Sequence, residues 1–230
     1  MKSVHDVSNT ARFRASGLSL GEAAGIFAQY PSPRVLVPAA VAAAAARAVA
    51  GGWSRRDATV AAALVVAEPF VEWMVHVHVL HQRPRRVLGR TVDSLAARKH
   101  RRHHRDPRNP ALVFIPWQAA LALTGGLAVA NSLTLRNPRV ALTGTAVSLL
   151  LLSTYEWTHF LIHSAYRPRS MVYRAIRRTH HLHHYRNENY WFGVITPLSD
   201  KIFSTDPPKG SVPPSSTVRT LGIDGPTPRG

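Results

Sequence analysis

Residues 140–163 read VALTGTAVSLLLLSTYEWTHFLIH. No charge interrupts the run from Val140 to Tyr155. As a helix the whole stretch reaches across a bilayer core, which takes about 20 mostly apolar residues. A soluble core of this size has no need of so long an uncharged run. The last two turns change character, because Glu156, His159 and His163 close the stretch. Three other stretches have similar reach: VLVPAAVAAAAARAVAGGW at 35–53, ATVAAALVVAEPFVEWMVHVHVL at 58–80 and ALVFIPWQAALALTGGLAVANSL at 111–133. The first is Ala-rich and broken by Arg47. The second carries Glu68, Pro69, Glu72, His76 and His78. The expected fold class is all-α, an integral membrane four-helix bundle.

The basic residues orient it. Lys and Arg number 29 against 12 Asp and Glu, a formal charge of +17, while the mean hydropathy is −0.09. Apolar spans and basic loops cancel in that mean. With the N-terminus inside, 24 of the 29 positive residues fall on one side, in segments 1–34, 81–110 and 165–230. That is the positive-inside bias of a bacterial cell-membrane protein. Nucleic acid is the other natural partner of so basic a chain. The cations here flank spans and interleave with histidines, and no RNA-binding aromatic signature appears, so nucleic acid is excluded as a partner. The absence of Cys excludes disulfide scaffolds, thiolate metal sites and cysteine nucleophiles. No cleavable signal peptide is visible. The domain reading is a cytoplasmic segment over 1–34, a membrane domain over 35–205, and a Pro/Ser/Gly-rich disordered tail over 206–230.

Ten of the 13 histidines fall in four groups. HVHVLH holds His76 and His81; HRRHH holds His100, His103 and His104; HFLIH holds His159 and His163; HHLHH holds His180, His183 and His184. Positions i, i+3 and i+4 share a helix face, so each triplet is expected to offer three imidazoles to one small volume. His159 and His163 lie one turn apart. His76 and His81 do not share a face of an ideal α-helix, and bracket the end of their span. In the assigned topology all ten sit at or beyond the cytoplasmic edge, and the expectation is a helical cap there carrying a His-rich dimetal site. Ten imidazoles exceed the needs of one ion, and two ions with four or five nitrogens each use the set. Imidazole suits Fe, Zn, Cu and Ni alike.

Together these residues resemble the membrane fatty-acid hydroxylase/sterol desaturase superfamily. The resemblance covers about 68–205, in EPFVEWMVHVHVLH, KHRRHH, EWTHFLIHSAYRPRS and RTHHLHHYRNENYWFGVITPLSDKIFST. It implies an O2-dependent oxidoreductase with two iron ions, with zinc a possible substitute, held by His76, His81, His100, His103, His104, His159, His163, His180, His183 and His184. His78 and His181 fall off the motif positions. Where the family often has Trp-Asp and then Phe-Gly-Thr, this chain has Ser199-Asp200 and Phe203-Ser204-Thr205. The resemblance further implies a lipid substrate (fatty acyl, carotenoid or sterol-like). Electrons are expected from a separate donor: a ferredoxin, a cytochrome b5-like protein or a reductase.

Several polar neighbours are candidates to support the ligands. Glu72 precedes His76 by four residues and Glu156 precedes His159 by three, so each can share a face with a ligand and take its imidazole N–H. Asn187 follows the last triplet, where it either ends the helix or bonds a ligand, and Asp200 belongs to the same C-terminal motif. The main reading is hydroxylation of a lipid C–H bond. Desaturation uses the same ligands. A membrane metal-binding or transport protein would line its spans with polar residues from side to side, and a dizinc hydrolase would need a general base, for which Glu156 is the candidate.

Overall fold

The computed structural model describes residues 4–167 and 169–223. In chain order the elements are α1 (Val4–Arg14), α2 (Leu20–Phe27), α3 (Pro31–Ala50) and α4 (Arg55–Val75), which continues as a π-helical segment (His76–Leu80). A hairpin follows, β1 (Arg85–Val87) and β2 (Arg90–Val92). Then come α5 (Leu95–Arg105), α6 (Pro110–Val113), α7 (Trp117–Leu135), α8 (Pro138–His163), α9 (Met171–Tyr185), α10 (Leu198–Ile202) and a 3-10 turn at Lys209–Ser211. The chain divides into two compact units: Phe27–Glu68 with Ile115–Trp157, and Met1–Ile26 with Pro69–Phe114 and Thr158–Gly230.

The first of these units is four helical stretches with the polarity of a soluble protein reversed. Leu36 and Ala40 of α3, Ala120 of α7 and Leu149 of α8 form its small apolar core. Large apolar side chains face outward, among them Val41, Val49, Val66, Val129, Leu133 and Leu150. Buried among the helices instead is the Arg47 guanidinium, which donates to Asp57 Oδ1 at 2.9 and 3.1 Å and to the Gly51 carbonyl at 2.7 Å. It lies 3.7 Å from the centre of the Trp53 ring, and Thr143 Oγ1 joins the cluster. Removing one member of such a pair leaves the other charge without compensation. An apolar exterior over a polar interior is what a lipid solvent selects.

Three stretches, Pro31–Ala50, Arg55–Leu80 and Pro110–Leu135, are long and apolar enough to cross a membrane by length and composition. The fourth expected span is a single 26-residue helix, α8, but it does not join the other three on apolarity. The reason lies in its inward face, where Thr143, Thr145, Ser153 and Glu156 are buried.

The second unit departs from the expected all-helical class in one detail. Its basic loop after the π segment folds into the β1–β2 hairpin, Arg85 opposite Val92 and Val87 opposite Arg90. The two turn residues, Leu88 and Gly89, both have positive φ (50° and 76°), which matches the right-handed twist of a two-residue hairpin. A larger correction concerns the C-terminus. Residues 206–223, expected within a disordered tail, are folded against the unit. Val212, Val218 and Leu221 are buried, Arg186 Nε donates to the Val212 carbonyl, and the Thr217 hydroxyl meets Glu188. Pro/Ser/Gly composition allows a chain to stay irregular, but irregular chain packs when its backbone finds partners. The rest of that tail, 224–230, lies outside the described residues, as do residues 1–3 of the N-terminal segment.

Candidate metal centre

All ten grouped histidines belong to the second unit, and they form two quintets. His76, His81, His100, His104 and His183 make one; His103, His159, His163, His180 and His184 make the other. Within each, one nitrogen per residue lies within 4.8 Å of all the others. The helices divide the triplets rather than delivering each whole. From α5, His100 and His104 enter the first quintet and His103 the second. From α9, His180 and His184 enter the second and His183 the first. The two helices exchange their middle histidine, which corrects the expectation of one volume per triplet.

Local structure explains how each pair is presented. His159 and His163 are one α-helical turn apart, with ring centres 4.8 Å apart. His76 and His81 are five apart, and the chain between them is π-helical, the His81 amide donating to the His76 carbonyl at 3.1 Å. An i→i+5 turn brings residues five apart onto one face, and these rings stand 5.1 Å apart. Arg101, buried on α5, donates to the Gln82 carbonyl and to Asp93, tying the chain after His81 to the helix that carries His100 and His104. Ser94 and Ser170 cap α5 and α9 by accepting from the Ala97 and Tyr173 amides.

The first quintet is held by backbone carbonyls. Nδ1 of His76 donates to Phe192 O at 2.6 Å, Nδ1 of His183 to Tyr190 O at 2.8 Å, and Nδ1 of His104 to Val218 O at 2.9 Å. A carbonyl can only accept, so these three rings carry their proton on Nδ1 and present a bare Nε2. Burial pushes His104 down to about 3, and His183 and His100 well below the ordinary imidazole range, their neighbouring imidazoles adding to the effect. The rings are therefore neutral at pH 7. Yet Nε2 of His104 and Nε2 of His183 lie 3.2 Å apart with no proton between them. Two lone pairs facing at that distance repel unless a cation sits on both. Nε2 of His100 is likewise 3.2 Å from those of His76 and His104.

In the second quintet the Nε2 of His163 is 3.1 Å from that of His103 and 3.0 Å from that of His180, which is 3.0 Å from that of His184. Metal–nitrogen bonds of about 2.1 Å at right angles place neighbouring donors about 3.0 Å apart. The donor sets fit one metal ion per quintet. Nδ1 of His103, His163, His180 and His184 is buried with no hydrogen-bond partner among the described residues.

The polar neighbours act one step further out than foreseen. Glu72 accepts from the Val194 and Ile195 amides, while the imidazole N–H of His76 goes to the Phe192 carbonyl. Asp200 accepts from the Phe192 and Gly193 amides at 3.0 and 2.7 Å and from the Thr205 hydroxyl at 2.6 Å. Both carboxylates thus pin the loop whose carbonyls orient His76 and His183. Trp191 sits in that loop buried at φ 58°, and a Cβ on Gly193 would lie 2.3 Å from the Thr196 carbonyl, so the turn closes only around glycine. Glu156 accepts from the Ile115 amide at 2.7 Å. Asn187 donates to the Pro213 carbonyl and accepts from the Asn189 amide, a structural role at the end of α9. His78 and His181 stay outside both quintets; His181 donates to the Ile162 carbonyl. Reading the sequence alone misses the anchors Tyr190, Phe192 and Val218, because a carbonyl carries no residue signature. The five-residue spacing in HVHVLH is the one signal that pointed to the π turn.

Residues 61–205 match the family model described as fatty acid hydroxylase. Two curated relatives from Arabidopsis thaliana are similar. Dihydroceramide fatty acyl 2-hydroxylase FAH1 is 29% identical over 60% of this chain and 56% of its own length. Dihydroceramide fatty acyl 2-hydroxylase FAH2 is 24% identical over 62% and 58%. The chain thus spans somewhat over half the length of these relatives. A solved structure of full-length Scs7p, with only its hydroxylase domain visible, superposes with a TM-score of 0.65 at 21% identity, covering 80% of this chain and 68% of that one. That likeness shows the fold.

Proposed function

The chain belongs to the fatty acid hydroxylase family, and from that premise we propose that it hydroxylates a C–H bond of a fatty-acyl lipid at a two-iron centre held by the ten histidines. The observation that carries the reading is the pair of buried histidine quintets, in the first of which bare nitrogens face one another. Bound there, iron supplies the activation of O2 that an unactivated C–H bond demands. One oxygen atom enters the C–H bond and the other leaves as water, with two electrons and two protons from a donor: a ferredoxin, a cytochrome b5-like protein or a reductase. The likeness to two plant fatty acyl 2-hydroxylases favours a fatty-acyl chain over a carotenoid or sterol, and hydroxylation over desaturation.

The chain's own residues do the positioning. The carbonyls of Phe192, Tyr190 and Val218 set the tautomers of His76, His183 and His104. Glu72 and Asp200 hold the loop that presents two of those carbonyls. Near-complete burial of the rings keeps water from the oxidising centre. The apolar exterior and the basic loops support a multi-pass membrane protein with its site on the cytoplasmic side. Anaerobic purification with iron quantitation, joined to lipidomics of a deletion strain, tests the reading. The expected result is two irons per chain and one fatty-acyl lipid class that lacks an oxygen in the deletion strain. His103→Ala and His183→Ala proteins should lose metal and turnover; full lipid turnover by either would overturn the assignment.

A further inference from the structure

α9 has two working faces. His180, His183 and His184 look into the quintets. The other face, Arg174, Arg177, Arg178, His181 and Tyr185, follows the i, i+3, i+4 stripe of a helix and walls a separate open cavity of about 890 Å³. Arg14, Arg108, Arg167 and Lys209 also line it, so seven cations converge there, and no carboxylate is among the lining residues. Arg14 pairs with Asp106 at 3.2 Å. The other six cations form no ion pair among the described residues. Arg177, one of them, has a buried Nε without a hydrogen-bond partner among the described residues. Catalysis at the quintets uses none of these cations.

So many cations in one concavity repel one another, and a bound anion relieves that repulsion. Guanidinium forks match the tetrahedral oxygens of phosphate, donating to two at once. The volume exceeds what a bare ion needs and lies in the range of small-molecule sites. Met171 and Val172 are exposed one turn before Arg174, an apolar tip beside a basic stripe, which suits a helix lying at a lipid surface. We propose that this cavity is a binding site for a phosphate-bearing anion, distinct from the metal centre. Phosphate on a lipid headgroup and free phosphate share that chemistry. The inference does not depend on the hydroxylase reading.

The test uses the full-length metal-loaded protein. In detergent at low ionic strength, its unfolding midpoint is followed against inorganic phosphate, with chloride at matched ionic strength. In parallel it is reconstituted into phosphatidylcholine vesicles with and without phosphatidic acid. A midpoint raised by phosphate but not chloride identifies free phosphate as the ligand; one raised only by phosphatidic acid identifies the headgroup. In either case Arg174→Gln/Arg178→Gln and Lys209→Gln proteins, checked for wild-type metal content, should need about tenfold more ligand for the same shift. Should chloride match phosphate with phosphatidic acid inert, or should the metal-replete variants respond like the wild type, the proposal fails. The wild-type arms decide the matter even if a variant misfolds.

Discussion

The two quintets are built from the same residue type, the same two helices and one helix end each, yet they are supported differently. In the first, three imidazoles lean on backbone carbonyls from segments that follow α9 in the chain. In the second, four Nδ1 atoms are buried without a partner among the described residues. The difference teaches that helix spacing suffices to gather five imidazoles, whereas fixing their tautomers takes irregular chain. Carbonyls point where a loop aims them. Helix carbonyls are already engaged in the helix.

The largest expected effect comes from deleting a ligand. His104→Ala should empty the first quintet and His163→Ala the second, each protein keeping about half the wild-type iron by colorimetric assay and losing lipid turnover to background. Equal loss of both irons in either protein would show the quintets to be one cooperative site. Next in size is removal of the chain after Asp206. A disordered tail would leave metal affinity untouched. Loss of the Val218 carbonyl should instead weaken iron binding about 10–100-fold, and do so in the His163→Ala background, where only the first quintet remains. The smallest effect separates the supports directly. In chelator competition, iron in the His104→Ala protein, held by the second quintet, should be stripped at about tenfold lower chelator than iron in the His163→Ala protein. Identical curves would mean the carbonyls orient rings without tightening the metal.

Much of this was legible in the chain. The apolar runs announced long helices, and α3, α4, α7 and α8 overlap 35–53, 58–80, 111–133 and 140–163, although α7 begins only at Trp117, after the short α6. The spacings of HRRHH, HFLIH and HHLHH are those of helices, and α5, the end of α8 and α9 are helical there. Two expectations fell for reasons that a one-dimensional reading does not contain. Glu72 was matched to His76 because the two share a helix face, but its carboxylate turned to the amides of a loop more than a hundred residues away. The segment after Asp206 looked disordered by composition, and folds because Asn187, Glu188 and Arg186 offer it partners.

Residue order alone announces a helical, metal-ready chain of apolar spans, because hydropathy and 3.6-residue periodicity are local properties that survive in any tertiary setting. It also marks which ten histidines travel in helical company. How the triplets divide, two to one quintet and one to the other, is settled by packing. The reason is geometric. Residues i, i+3 and i+4 share a face but splay across it, and α5 and α9 face each other closely enough (the His104 and His184 rings are 4.2 Å apart) that each helix's middle histidine reaches the volume served by the other's outer pair. The Val218 carbonyl on His104 belongs to the same class of fact, set by where the chain returns after 114 residues rather than by what it is made of.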